Sequence, residues 1–217
     1  MCSSDLHGFP LRLIVPSWYG MASVKWLRAI TVLDEPFLGV EQLYEYRYKA
    51  TAADPGIPVR EKRVNSIMKP PGIADLQSRY HLISPGTYTV TGKAWSGFGR
   101  IILVEFSFDD GLTWQPAQIQ QVSSDPFAWV SWFAQWTAVD GTYFLRCRAT
   151  DSAGNVQPLE GNEFWNWLGM GVNATDRVPM IVEDGVGLSG TTVPCTPKAD
   201  IPGGIPPPRP DDNNQAA

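Results

Sequence analysis

His7, Arg12 and Lys25 form a set suited to one chemistry, the capture of a phosphate or other oxyanion. Arg12 stands in Leu11-Arg12-Leu13-Ile14-Val15, which reads as a buried strand ended by Pro16 and Gly20. A guanidinium among Leu, Ile and Val is costly unless a carboxylate or a ligand anion meets it. Lys25 follows thirteen residues later, in Ser23-Val24-Lys25-Trp26-Leu27. Together the three offer a planar fork, a point charge and an imidazole N–H. The plainer alternative makes Arg12 and Lys25 surface charges at strand ends.

Other residues with chemical potential read as structural. Ser107-Phe108-Asp109-Asp110-Gly111-Leu112-Thr113-Trp114 fits an Asp-box hairpin, in which Asp109 and Gly111 shape the turn and Trp114 packs beneath it. It occurs once, whereas a propeller repeats it in every blade, and no paired-carboxylate site for glycoside hydrolysis accompanies it. The aromatic run from Phe127 to Trp136 fills a core or a subunit interface more readily than it stacks sugars or bases. Cys2, Cys147 and Cys195 lack the spacing of a zinc site or a disulfide framework, and Cys147 alternates with core residues. His7 and His81 lie too far apart for a shared metal site. Asn173-Ala174-Thr175 has the form of a glycosylation sequon, a triplet that arises often by chance.

Composition places these residues on β-strands. Nine Trp, 20 Gly and 19 Pro with only 18% charged residues suit short strands joined by tight turns. The net charge is −5 and no basic face is evident, which argues against nucleic acid as a partner. No apolar run reaches the length of a membrane-spanning helix. Three zones follow. Residues 1–49 hold the Leu11–Val15 strand, a second strand from Val24 to Leu33, and a short helix or loop from Val40 to Tyr48. Residues 50–182 open with a linker, 51–58, and continue with strands at the spacing of an immunoglobulin-like β-sandwich. These are Val64–Met68, Gly86–Ala94, Ile101–Phe108, Trp114–Gln120, Ala128–Thr137, Thr142–Thr150 and Val178–Val182. In Gly86–Gly92, Tyr88 and Val90 face away from the threonines. In Thr142–Ala149, Tyr143, Leu145, Cys147 and Ala149 share a face opposite Phe144, Arg146 and Arg148. Residues 183–217 carry seven prolines and no aromatic residue, and read as a disordered tail with polyproline over 205–210.

Several ordered motifs resemble the sulfite oxidase family of molybdopterin-dependent oxidoreductases, over about residues 7–182. His7-Gly8-Phe9-Pro10-Leu11-Arg12-Leu13-Ile14-Val15-Pro16, then Gly20, then Val24-Lys25-Trp26-Leu27, looks like the end of the molybdenum-cofactor domain. Gly92-Lys93-Ala94-Trp95-Ser96-Gly97-Phe98-Gly99-Arg100-Ile101 is similar to the C-terminal dimerisation domain. So are Val104 to Trp114, Arg148-Ala149-Thr150-Asp151, Gly154-Asn155-Val156-Gln157-Pro158, and Trp165-Asn166 with Gly169 and Asn173. The resemblance implies a mainly β fold: an immunoglobulin-like sandwich preceded by a C-terminal fragment of an α+β cofactor domain.

The resemblance also implies a molybdenum-molybdopterin cofactor touched by His7, Arg12, Ser23, Val24 and Lys25, with backbone groups of Ser23 and Val24 supplying hydrogen bonds. It implies oxidation of sulfite, a small anionic substrate, to sulfate by oxo transfer, with electrons leaving to a cytochrome c or a haem domain. A homodimer through the β-sandwich is expected, and a periplasmic location is favoured. Nitrate reduction by the same family is an alternative, as is a non-catalytic sandwich module whose aromatic face binds a partner protein. The family holds molybdenum through a cysteine thiolate upstream of the His-Gly-Phe-Pro motif. Only six residues precede His7 here, Cys2 is in the wrong place, and Met1–Leu6 falls outside the resemblance. The expectation is therefore a C-terminal part of a longer enzyme, inactive and without molybdenum on its own.

Overall fold

Period-two burial builds the two longest strands. The computed structural model describes residues 6–121, 123–160 and 166–185. Strand β6, Gly86–Trp95, buries Val90 and Ala94 and turns its threonines outward. Strand β11, Gly141–Asp151, buries Leu145, Cys147 and Ala149 completely. Around them lie β1 (Arg47–Tyr48), β2 (Ile57–Pro58), β3 (Asn65–Lys69), β4 (Ile73–Ala74) and β5 (His81–Ile83). Further on come β7 (Ile101–Ser107), β8 (Gln115–Pro116), β9 (Gln118–Gln120), β10 (Val130–Ala138) and β12 (Val178–Val182).

One sheet has the order β3-β6-β10-β9 and the other β4-β5-β12-β11-β7-β8. All pairings are antiparallel except β12 with β5. Between the sheets Val90, Val104, Phe106, Trp132, Leu145, Cys147 and Met180 form one buried core. This is the expected immunoglobulin-like sandwich. Trp132 lies opposite Gly92 in the β10–β6 register. The glycine gives the indole its space, because a Cβ there would collide with the Trp132 ring and the Ile67 carbonyl.

Four expectations are corrected. Leu11–Val15 is not a buried strand: Ile14 is 67% exposed, and the segment touches Val24–Leu27 through only two backbone hydrogen bonds, Leu13 N to Val24 O and Leu27 N to Leu11 O, both 2.9 Å. Val24–Leu33 is not a strand either, with Val32 93% exposed. Branched residues suit a pleated surface, but a strand forms only where a neighbour completes the ladder. Trp114–Gln120 is not one strand. Gln115–Pro116 pairs with β7 and Gln118–Gln120 with β10, so the chain changes sheets at Ala117. Ile57–Pro58, assigned to a linker, pairs with Arg47–Tyr48. The Val40–Tyr48 helix is a single π-helical turn, Glu41–Glu45, leading into β1. The proline-rich run at 205–210 and Trp165 lie outside the described residues.

Candidate functional site

The five candidate residues lie along one open loop. Gly8 takes φ +103° and is packed so tightly that a Cβ on it would sit 3.1 Å from Lys25 Cβ. Glycine here lets the segment that follows His7 touch Lys25. Arg12 Nε donates to Ser23 O at 3.2 Å, which draws the guanidinium onto the segment that precedes Lys25. Lys25 Nζ stands 5.8 Å from the Trp26 ring centroid. His7 and Lys25 are exposed and Arg12 is half-buried. Among the described residues, no salt bridge engages Arg12 or Lys25. Among the described residues, no carboxylate pairs with Arg12.

Ser23 and Val24 present carbonyls more than N–H groups. Their amides donate into the turn at Gly20–Ala22, to Gly20 O and Ala22 O, each at 3.1 Å. Their carbonyls accept one bond each, from Arg12 Nε and Leu13 N, so each keeps a lone pair for an incoming donor.

A second set of contacts fixes this loop to the sandwich, and the sequence reading passed over it. Lys62 N donates to Ser17 O and Tyr19 N to Arg60 O, both at 2.9 Å, and Trp18 bridges Glu61. Arg63 N donates to the Tyr19 hydroxyl at 3.3 Å. Beside this seam a cleft of about 220 Å³ is lined by Tyr19, Met21, Tyr46, Val59, Met170 and Gly171. Arg63 stacks over the Tyr48 ring, 3.9 Å from its centroid. Burial and the neighbouring Tyr19 hydroxyl push the Tyr48 phenol well above its usual range. Asn166 closes the far side, accepting from Lys49 N at 2.9 Å and donating to Met170 O at 3.0 Å. The seam between residues 17–19 and 60–63 joins positions more than 40 apart, and no motif in the sequence announces it.

The remaining candidates take structural roles. Asp109 accepts from Thr113 N (2.9 Å), Thr113 Oγ1 (2.6 Å) and Ser107 Oγ (2.7 Å), which spends its carboxylate on the turn. Trp114 lies under the Arg148 guanidinium, 4.2 Å from ring to cation. Trp132 and Trp136 are core residues, while Trp129 stacks on Trp95 at 4.3 Å. Asn173 of the sequon is 5% exposed and donates to Val64 O at 2.9 Å, so in the folded chain it is closed to a glycan. Arg146, on the face opposite Leu145 and Cys147, is also buried, beneath Leu159 O and Thr175 Oγ1.

The donor set suits the phosphate and pterin of a molybdopterin and not its metal. Arg12, Lys25 and His7 are anion donors, and the Ser23 and Val24 carbonyls match pterin N–H groups. Among the described residues no three His, Cys, Asp or Glu side chains cluster as metal ligands.

Comparison with known proteins agrees. Residues 59–183 match the family described as the Mo-co oxidoreductase dimerisation domain, and residues 4–41 match the oxidoreductase molybdopterin binding domain. Human mitochondrial sulfite oxidase is 32% identical over 189 residues, covering 81% of this chain and 34% of that protein. The NADH nitrate reductase of Ulva prolifera is 33% identical over 197 residues, covering 79% of this chain and 22% of that protein. The sulfane dehydrogenase SoxCD of Paracoccus pantotrophus superposes with a TM-score of 0.65 at 25% identity, covering 79% of this chain and 46% of that one. The chain belongs to the sulfite oxidase family of molybdopterin-dependent oxidoreductases, whose cofactor is the molybdenum-molybdopterin centre. It spans about a third of the length of its sulfite oxidase relatives.

Proposed function

We propose that the whole protein is a molybdenum-dependent oxidoreductase that oxidises sulfite to sulfate, with this chain supplying pterin contacts and the homodimer. The observation that carries the reading is the gathering of His7, Arg12 and Lys25 on one loop with no carboxylate partner among the described residues. When bound, the molybdenum-molybdopterin centre supplies two-electron oxygen-atom transfer. Arg12 and Lys25 hold the phosphate end, one as a fork and one as a point charge. His7 adds a directional N–H donor, and the Ser23 and Val24 carbonyls orient the pterin edge. Leu33, Phe37, Leu38 and Val40 are exposed apolar side chains within the molybdopterin-binding match, and fit a surface buried against further cofactor-domain structure.

The test is to purify the whole protein from a host that makes molybdopterin. The expected result is one pterin and one molybdenum per chain, a two-fold dimer by mass, and sulfite-dependent reduction of a haem-protein acceptor. Pterin without sulfite turnover but with nitrate turnover would move the substrate to nitrate, as similarity to the nitrate reductases allows. Absence of pterin would overturn the reading.

A further inference from the structure

We propose that Gly97, in the sandwich, is a positioning residue for the cofactor-binding loop. The inference rests on the reading that residues 7–25 grip a pterin.

Gly97 ends the segment after β6 and is buried against residues from both parts of the chain. Its N–H donates to Lys62 O at 2.7 Å, and Lys62 N donates to Ser17 O at 2.9 Å. A Cβ at Gly97 would collide with Ser17 O and lie 2.5 Å from Lys62 N and 2.9 Å from Lys62 O. Three backbones therefore meet where only a hydrogen side chain fits.

Substituting Gly97 forces movement, and the geometry decides which side moves. Its neighbours are held from within the sandwich. Ser96 Oγ donates to the buried Asp151 carboxylate at 2.7 Å and accepts from Phe98 N at 3.0 Å. Asp151 is further fixed by Ala153 N and Asn155 N, each at 3.0 Å. On the opposite side Ser17 takes φ +70°, a conformation that costs energy in a serine. It belongs to a loop with few ladder bonds of its own. The loop yields, and the displacement passes from Ser17 through the Gly20–Ala22 turn to Ser23, whose carbonyl holds Arg12. The sandwich thus sets the spacing of the anion donors as well as pairing protomers.

The test is hydrogen exchange read by mass spectrometry on the whole protein, alongside its pterin content and solution mass. Gly97→Ala should speed exchange over residues 13–25 about tenfold and lower pterin content several-fold. Exchange in β10 and β11 and the dimer mass should stay as in the parent. Phe98→Ala, in the same turn but away from Ser17, should leave the loop unchanged. Parent-like exchange over 13–25 in Gly97→Ala would overturn the proposal. So would equal loss of protection in β10 and β11, which would make Gly97 a sandwich residue only. If the parent holds no pterin, the oxidoreductase reading fails separately, and the exchange results still decide whether Gly97 positions the loop.

Discussion

Arg12 Nε donates to the Ser23 carbonyl at 3.2 Å, so one proposed pterin contact is oriented by another. The bond takes Nε and leaves the two Nη groups without a hydrogen bond among the described residues, a fork ready for phosphate. Arg12→Lys keeps the charge but loses the fork and the Ser23 bond. Pterin content of the whole protein should fall about tenfold or more, the effect of losing a charge-assisted bond of about 1.5–3 kcal/mol. Melting should shift little. Full pterin retention in Arg12→Lys would show that charge alone suffices at this position.

Asp110 joins β11 to the residue before β12 through two arginines. Arg177 binds it with Nε and Nη2 at 2.9 and 2.8 Å, and Arg146 Nε donates at 2.7 Å. The Arg177 hydrogen bonds first, then Arg146, hold its carboxyl down from 3.8 to about 2 against the cost of burial. The folded state binds this proton less readily than the unfolded chain. Its contribution is present above about pH 3.8 and lost as pH falls through about 2. Asp110→Asn should lower stability at neutral pH by about 1–3 kcal/mol, since it leaves the buried Arg146 poorly matched. It should also flatten the decline between about pH 4 and pH 2 in a melting series. An unchanged acid slope would assign that decline to other carboxylates.

Cys147 is fully buried, and burial pushes its thiol up to about 12, with the Ser66 hydroxyl at 3.3 Å opposing the rise. Here the folded state keeps the proton longer than the unfolded chain. Stability is fully present below about pH 9 and declines as pH rises towards 12. Peptide mapping after iodoacetamide at about pH 8 should show Cys147 unmodified in the folded protein and modified in denaturant. Modification at equal rates in both conditions would place the thiol in contact with solvent.

What the sequence made legible follows from where burial alternates. Tyr88 with Val90, and Leu145 with Cys147 and Ala149, mark strands because each alternate side chain enters one core. Leu11–Val15 misled because branched residues report compatibility with a sheet and not the presence of one. The break at Ala117 was hidden because both halves of the segment are extended. The residue types of the candidate site read as anion donors, but the buried strand argued for Arg12 is absent. Their assembly was not legible: no spacing rule places Gly8 on Lys25, or Ser17 and Lys62 on Gly97. Arg146 shares a face with Phe144 and Arg148, and only the later loop carrying Leu159 and Thr175 covers it.

Gly92 should be as intolerant as Gly97, with a different outcome. It sits in the middle of β6, between Met68 of β3 and Trp132 of β10 and against the Ile67 carbonyl, and its missing Cβ is the space the indole occupies. Both obstacles are rigid: one is a backbone carbonyl in a ladder, the other a ring 1% exposed in the core. Gly92→Ala should therefore cost about 1–3 kcal/mol of the sandwich's stability in denaturant unfolding, with the m-value unchanged. The loss should spread through β3, β6 and β10 in hydrogen exchange, unlike the localised loss expected for Gly97→Ala. Trp132→Phe removes one of the two obstacles but opens a cavity, so each single variant is destabilised for the opposite packing reason. Their costs should not add, and the double variant should be more stable than the sum by about 1 kcal/mol or more. Additive costs would show that the Ile67 carbonyl alone meets the alanine.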